Sequence, residues 1–401
     1  MRLTNILFKQ HNVWRAKLKW KYQSQRNVLD TGLVAALEKK GITVKDAVEY
    51  TNKMNKFAKT NPEKKVEPEI NHPITYIYGD SNCLVYGCSQ AQVLTKTLIF
   101  DKFPEKLEKK FASLKLPTDI ERSMHQSVLV SHLLDAEQIK SPYKIPIAPH
   151  KPRHFLPKEY CITERRKNLL ISTRLLNHCE RFYGHIEAVN KKTVNDVKFM
   201  APIEKNGDRV QFNLSAETFV TSKKPIAPFD GSSDQSVPDI YPLDQTVSIP
   251  KIETKYDLTS SYPIKTTSIF SHPHTIMLHY SKNDVKHLFE EEVTHDQFES
   301  RAILKGFAVA TSRAHSLYGL DVKILQQPIA IQVVQLDGRK IQFGIFQLNT
   351  LDLDSKDGVK NFWFRKPDMF LYDECIYKDG RPLLSNYNFD IFKMMCVFYS
   401  N

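Results

Sequence analysis

The clearest pattern of apolar and polar positions lies near the C-terminal end. Two β-branched and aromatic runs, at 329–336 and 340–348, are separated by Asp337-Gly338. An Asp-Gly pair between apolar runs predicts a hairpin with a type I′ turn, because both residues tolerate positive φ. Phe343 and Phe346 on the returning run are an odd number apart, so they face opposite sides of the sheet. Just upstream the period changes. Thr294-x-x-Gln297 reads as a capping box that opens a helix ending at Tyr318, with Gly319 as its stop. Ala302, Gly306, Ala310 and Ala314 recur on it every fourth residue, which lets another backbone approach closely, the hairpin being the natural candidate. If that helix covers one face only, the two phenylalanines are buried unequally.

A second helix is predicted over 159–183. Leu169, Leu170, Leu175, Leu176, Cys179 and Phe182 fall on one side, Arg165, Arg166, Lys167, Arg174 and Arg181 elsewhere, and Gly184 lies just past the end. Residues 186–220 read as three short strands with turns at 190–192 and at Asn206-Gly207-Asp208, the latter an Asn-Gly hairpin signal. Tyr76-Ile-Tyr78 reads as a strand, 85–98 as either a strand or a helix, and 103–116 and 118–136 as short amphipathic helices. The segment 141–158 holds five prolines and four Lys/Arg and should run extended. Residues 30–72 are polar and lysine-rich, with weak helical patterns around 33–40 and 44–58, the second capped by Thr43-x-x-Asp46. Residues 222–265 contain six prolines and little periodicity, a long loop of the kind that lies on a partner or divides two lobes. The expected fold is mixed α/β: one large domain with room for two lobes, an antiparallel sheet packed by helices.

Composition changes this picture in two places. The 401 residues are 41% hydrophobic and 25% charged, ordinary for a folded chain, and no stretch approaches the ~20 apolar residues of a membrane span. The net charge of +12 is unevenly spread. Seven Lys/Arg precede the first acid, Asp30, and residues 1–25 interleave them with Leu3, Ile6, Leu7, Val13, Trp14, Leu18 and Trp20. Such a basic amphipathic leader suits a mitochondrial presequence over 1–29, although serine is thin there. The other reading is a retained basic arm that binds RNA. Residues 140–224 carry 17 basic and 8 acidic residues, whereas 225–401 is net acidic. The domain plan is therefore a presequence at 1–29, a polar extension at 30–72, and a mixed α/β domain at 73–401 with its long loop at 222–265.

Candidate chemistry is sparse. Glycine is scarce, 13 of 401, and no P-loop, dinucleotide fingerprint or G-x-S-x-G is present. The six cysteines (Cys83, Cys88, Cys161, Cys179, Cys375, Cys396) include no C-x-x-C pair and read as reduced thiols. Asp352-x-Asp354-x-x-Asp357-Gly358 resembles a calcium loop, but its third acid is one place late and the closing glutamate is missing. His272, His274 and His279 near Glu290–Glu292 read as structural rather than as a zinc site. The sequence implies no cofactor, no metal and no catalytic residue. The basic middle is the better lead. Lys151 and Arg153 sit in the proline-rich segment, Arg165, Arg166 and Lys167 on the helix, Lys191 and Lys192 at a turn, and Lys223 and Lys224 at the loop entrance. His154, Phe155, Tyr160 and Tyr183 are interleaved and offer stacking on unpaired bases. These nine cations are the candidate RNA contacts.

The tract from Ile324 to Phe364 carries "LxQP" at its start, the "DGR" turn, "FQLNT", the "DLD" step and "GVKN". With weaker matches at 302–319, Tyr262-Pro263, His272-Pro273-His274-Thr275, Gln90-Ala91 and 94–97, it resembles a family of animal mitochondrial large-ribosomal-subunit proteins, number thirty-seven, which includes a sister also called programmed cell death protein nine. The resemblance implies a non-catalytic structural component of the mitochondrial large subunit in the matrix. Its partners would be large-subunit rRNA and other mitochondrial ribosomal proteins, with a heterodimer formed with the programmed-cell-death-nine relative. The alternative is a matrix enzyme, or its inactive relative, with an RNA-binding face. A substrate-sized pocket lined by groups of perturbed pKa would favour that alternative.

Overall fold

The computed structural model describes residues 32–44, 75–134, 138–140, 145–148, 151–155, 158–160, 162–231, 236–240, 251–252, 257–282, 284–285, 292–354, 357–379 and 381–401. The leader and the Thr43-x-x-Asp46 cap fall outside them, as do most of residues 30–72 and part of the 222–265 loop. The chain divides into two units, Met1–Asn71 and His72–Asn401. In the first, the described residues hold one short helix, α1 (Leu33–Glu38).

The second unit opens with β1 (Thr75–Gly79). The stretch read as strand or helix is both in turn, α2 (Gly87–Thr95) and then β2 (Thr97–Phe100). Helices α3 (Glu105–Ser113) and α4 (Thr118–Ser131) follow where amphipathic spacing predicted them. The described parts of the proline-rich segment and its flanks are extended, as β3 (Gln138–Lys140), β4 (Ile145–Ala148), β5 (Lys151–Phe155) and β6 (Lys158–Tyr160), with β3 paired to β6 and β4 to β5. Helix α5 (Glu164–Glu187) begins five residues later than its periodicity suggested. Thr163 is its N-cap, accepting from the Arg166 amide, and residues 158–160 are strand. Gly184, at φ 50, kinks the helix rather than ending it.

Residues 186–220 were expected to form three strands but form two. The β-branched Ile186–Val189 stretch stays helical beyond the kink, and the remainder makes the 15-residue strands β7 (Lys191–Lys205) and β8 (Asp208–Ser222). Their turn is the Asn206-Gly207 pair, with φ 52 and 84, as a type I′ turn requires. The remaining elements are β9 (Lys251–Ile252), β10 (His272–His279), α6 (His295–Tyr318), β11 (Ile324–Leu336), β12 (Lys340–Thr350), β13 (Asn361–Arg365), β14 (Met369–Phe370), β15 (Cys375–Lys378), β16 (Arg381–Leu384) and α7 (Asp390–Tyr399). The capping box on α6 has both reciprocal bonds.

Among the described residues, ten strands form one sheet in the order β2-β13-β12-β11-β10-β8-β1-β9, with β7 along β8 and β14 on β12. Most neighbours are antiparallel; β1/β8, β10/β11 and β13/β2 are parallel. The β11–β12 hairpin pairs Leu336 with Ile341, but its turn is not type I′. Gly338 alone has positive φ (91), at the first central position, with Arg339 second, which is the type II′ pattern. Asp337 instead uses its carboxylate to accept from the amides of Arg339 and Lys340, at 3.0 and 2.7 Å. A Cβ on Gly338 would collide with Lys167 Cε and lie 2.6 Å from Asn168 Oδ1, so α5 sits directly on this turn.

Both faces of the sheet are covered, which corrects the one-sided expectation. Ile331, Val333, Phe346 and Leu348 join α2 and α6 in one core; Val334, Leu336, Phe343 and Ile345 join α3, α4, α5 and α7 in the other. Phe343 is 1% exposed and Phe346 0%. Phe346 meets Phe307 of α6, and Phe343 meets Phe398 of α7. The small-residue row on α6 does face the hairpin. A Cβ at Gly306 would stand 2.9 Å from Phe346 Cβ and 3.1 Å from Val333 Cγ2.

Candidate nucleic-acid interface

The basic residues that are adjacent in sequence part company in space. Arg165 is exposed and lines a cavity beside α6. Arg166 donates to the Leu133 carbonyl at 2.7 Å. Lys167 lies against the Gly338 turn. Lys191 is used internally. Its side chain is 4% exposed, 3.1 Å from Glu187 and 4.9 Å from the centre of the Tyr399 ring. Burial lowers its pKa although Glu187 opposes this. Tyr183 is likewise engaged, stacked on Tyr399 with centroids 6.0 Å apart.

Three cations do come together. The Lys223 amide donates to the Asn190 carbonyl at 3.0 Å, and β7 and β8 pair Lys191 with Ser222, so Lys192, Lys223 and Lys224 share the open end of that hairpin. Lys192 and Lys224 are exposed, and Lys223 lies 5.5 Å over the Phe270 ring. Arg174 and Arg181, seven residues apart and both exposed, lie on the outer face of α5, leading toward this group. Lys151 and Arg153 fall on β5, in the separate β4–β5 ribbon.

The two motifs set aside on sequence grounds have structural occupations. The calcium-like loop is closed by a lysine: buried Lys96 donates to the carbonyls of Asp352 (3.2 Å) and Asp357 (2.8 Å). Lys205 reaches the Leu353 carbonyl, and the Asp354 carboxylate takes the Asn206 amide at 2.7 Å. An ammonium therefore sits where the loop carbonyls converge. Two of the three histidines are also engaged. His274 contacts Thr275 Oγ1 at 2.8 Å and the Asn401 carbonyl at 3.3 Å, and burial pulls its pKa down to about 3. His279 contacts Ser172 Oγ at 2.9 Å.

A polar cavity of about 720 Å³, which sequence reading missed, opens between β1, β7, β8, β10 and helices α5 and α6. Lys305 on α6 lies 2.6 Å from Asp80 and donates to the Ser215 carbonyl at 2.7 Å. Burial brings Lys305 down to about 8. Burial would raise Asp80, but Lys305 and Ser215 hold it below the ordinary carboxylate range. Arg301, one turn from Lys305, and Glu217 and His279 also line it. The available signal was two cations four apart on a helix that is otherwise core, Arg301 and Lys305; their carboxylate counterparts come from distant strands and loops.

No protein-family model matches the chain. The chain is 26% identical to the large ribosomal subunit protein mL37 of rat over 315 residues, 76% of this chain and 68% of that one. Identity is also 26% to mL37 of chicken (73% of this chain, 65% of the relative) and of cattle (78% and 71%). The matched stretch spans about two thirds of the relatives' own length. The chain that carries the sheet-forming hairpin and its covering helix is thus similar to the mL37 proteins over about three quarters of its length.

Proposed function

We propose that the protein is a non-catalytic structural component of the mitochondrial large ribosomal subunit, supporting translation in the matrix. The observation that carries this reading is the similarity to mL37 over about three quarters of the chain. The acid-free basic leader fits import, and the uneven charge fits a molecule with one side turned to rRNA. On this reading the exposed cations Arg174, Arg181, Lys192 and Lys224, with the half-buried Lys223 beside them, contact rRNA phosphates, and Lys151, Arg153, Arg165, Arg166 and Lys167 lie at the margins. Lys191 supports the fold from inside. The net-acidic remainder meets neighbouring ribosomal proteins, the programmed-cell-death-nine relative among them as a heterodimer.

Replacing Arg174, Arg181, Lys192, Lys223 and Lys224 with glutamine tests the RNA face. Attachment to the large subunit should weaken and its salt dependence become shallower, because each lost phosphate contact removes a counterion-release contribution. Melting should hardly move, since exposed changes cost within about 0.5 kcal/mol each. Particle occupancy unchanged at raised salt would mean that this face looks at water. The enzyme alternative has one observation in its favour, the polar cavity with Lys305 at about 8. Its histidine is engaged with Ser172, and burial pushes the nearby Cys83 thiol up to about 11, so neither is poised as base or nucleophile. That chemistry suits holding a ligand better than turning one over.

A further inference from the structure

The same cavity contains one satisfied ion pair and one divided one. Asp80 and Lys305 neutralise each other at 2.6 Å. Arg301 and Glu217 do not meet. Arg301 is 6% exposed; its Nη1 donates to Gln335 Oε1 at 3.0 Å, its Nε has no partner, and among the described residues no carboxylate pairs with it. Glu217 accepts the His279 amide through Oε2 at 2.9 Å, and no cation pairs with it among the described residues. Both nevertheless act on His279 and Lys305, so they share one neighbourhood. A buried guanidinium without a counter-charge is costly. A guanidinium on one wall and a carboxylate on another are complementary to a dipolar guest.

We propose that this cavity binds a small zwitterion of the α-amino-acid type, its carboxylate on Arg301 and its ammonium on Glu217. A lone anion would leave Glu217 unpaired and face Asp196 and Asp284 at the rim, and a lone cation would leave Arg301 unpaired. The volume of about 720 Å³ leaves room for a side chain. Among the described lining residues Leu169 is the one with an apolar side chain, so charged and polar groups dominate what a guest would meet. The site goes beyond the ribosomal reading and is independent of it.

Calorimetry on the purified full chain, titrated with each common free amino acid, tests this. Acetate, inorganic phosphate and methylammonium serve as single-charge controls. At least one amino acid should bind saturably with Kd below about 1 mM, and its decarboxylated and N-acetylated analogues should bind at least about tenfold more weakly. Glu217→Gln, at a half-buried position, should preserve the melting transition and weaken binding by about tenfold or more. Arg301→Lys should do the same, since a point charge replaces a fork. No binding by any amino acid, equal binding by a single-charge control, or undiminished binding by folded Glu217→Gln would each overturn the assignment. Ribosome association does not enter this measurement, so the two readings fail separately.

Discussion

Lys96 illustrates how a residue's role depends on what the chain brings to it. By composition it is one more surface cation; in the fold it is 3% exposed and bonds two carbonyls of the 352–357 loop. The acids of that loop were legible, and so was their poor match to a calcium loop. What actually closes the loop comes from more than 250 positions away, which no local pattern reveals. Lys96→Met should destabilise the protein by about 1–3 kcal/mol by stranding the carbonyls, with no response to calcium. Denaturant melts with and without calcium check both halves. The buried histidines give a second residue-scale prediction. Burial lowers His274 to about 3 and His315 to about 4, so both stay neutral in the folded chain yet protonate near 6.5 when unfolded. The unfolded state then binds more protons, and stability is retained above 6.5 and lost as pH falls through the window below it. Between pH 6.5 and 5 each should cost about 2 kcal/mol, visible as a falling urea midpoint that substitution of either histidine makes shallower.

At the scale of elements, local chemistry was read well where one signal dominates. The Thr294/Gln297 box, the Asn206-Gly207 turn and the small-residue row of α6 each specify a geometry by themselves. The Asp337-Gly338 turn shows the limit. Two residues capable of positive φ do not dictate that both adopt it, and Asp337 bonds the turn amides with its side chain instead. Strand burial was less legible because β-branched runs look alike whether one face or two are covered. The hairpin's second face is closed by α7, whose apolar sequence lies some 50 residues downstream. Phe343→Ala and Phe346→Ala should therefore cost about 3–5 kcal/mol each rather than unequally. Equilibrium unfolding of the two variants checks this; a cheap loss at either site would mean that one face is open.

For the whole molecule, a sheet packed by helices was foreseeable from alternating strand and helix periods. Its order was not, because β1, β2 and β10 enter beside strands from distant parts of the chain. The proposed RNA-facing side was legible only as a charge excess. Folding separates Arg165, Arg166 and Lys167, turns Lys191 inward and collects Lys192, Lys223 and Lys224. The cavity was invisible, since its charges reach one place only through the sheet and α6. The central claim, that this chain is built into a ribosomal particle, is tested most directly by sedimenting mitochondrial lysate through a sucrose gradient. A ribosomal component should travel with the large subunit and leave essentially no slow-sedimenting pool. A substantial soluble pool, with large subunits assembling normally in its absence, would contradict it.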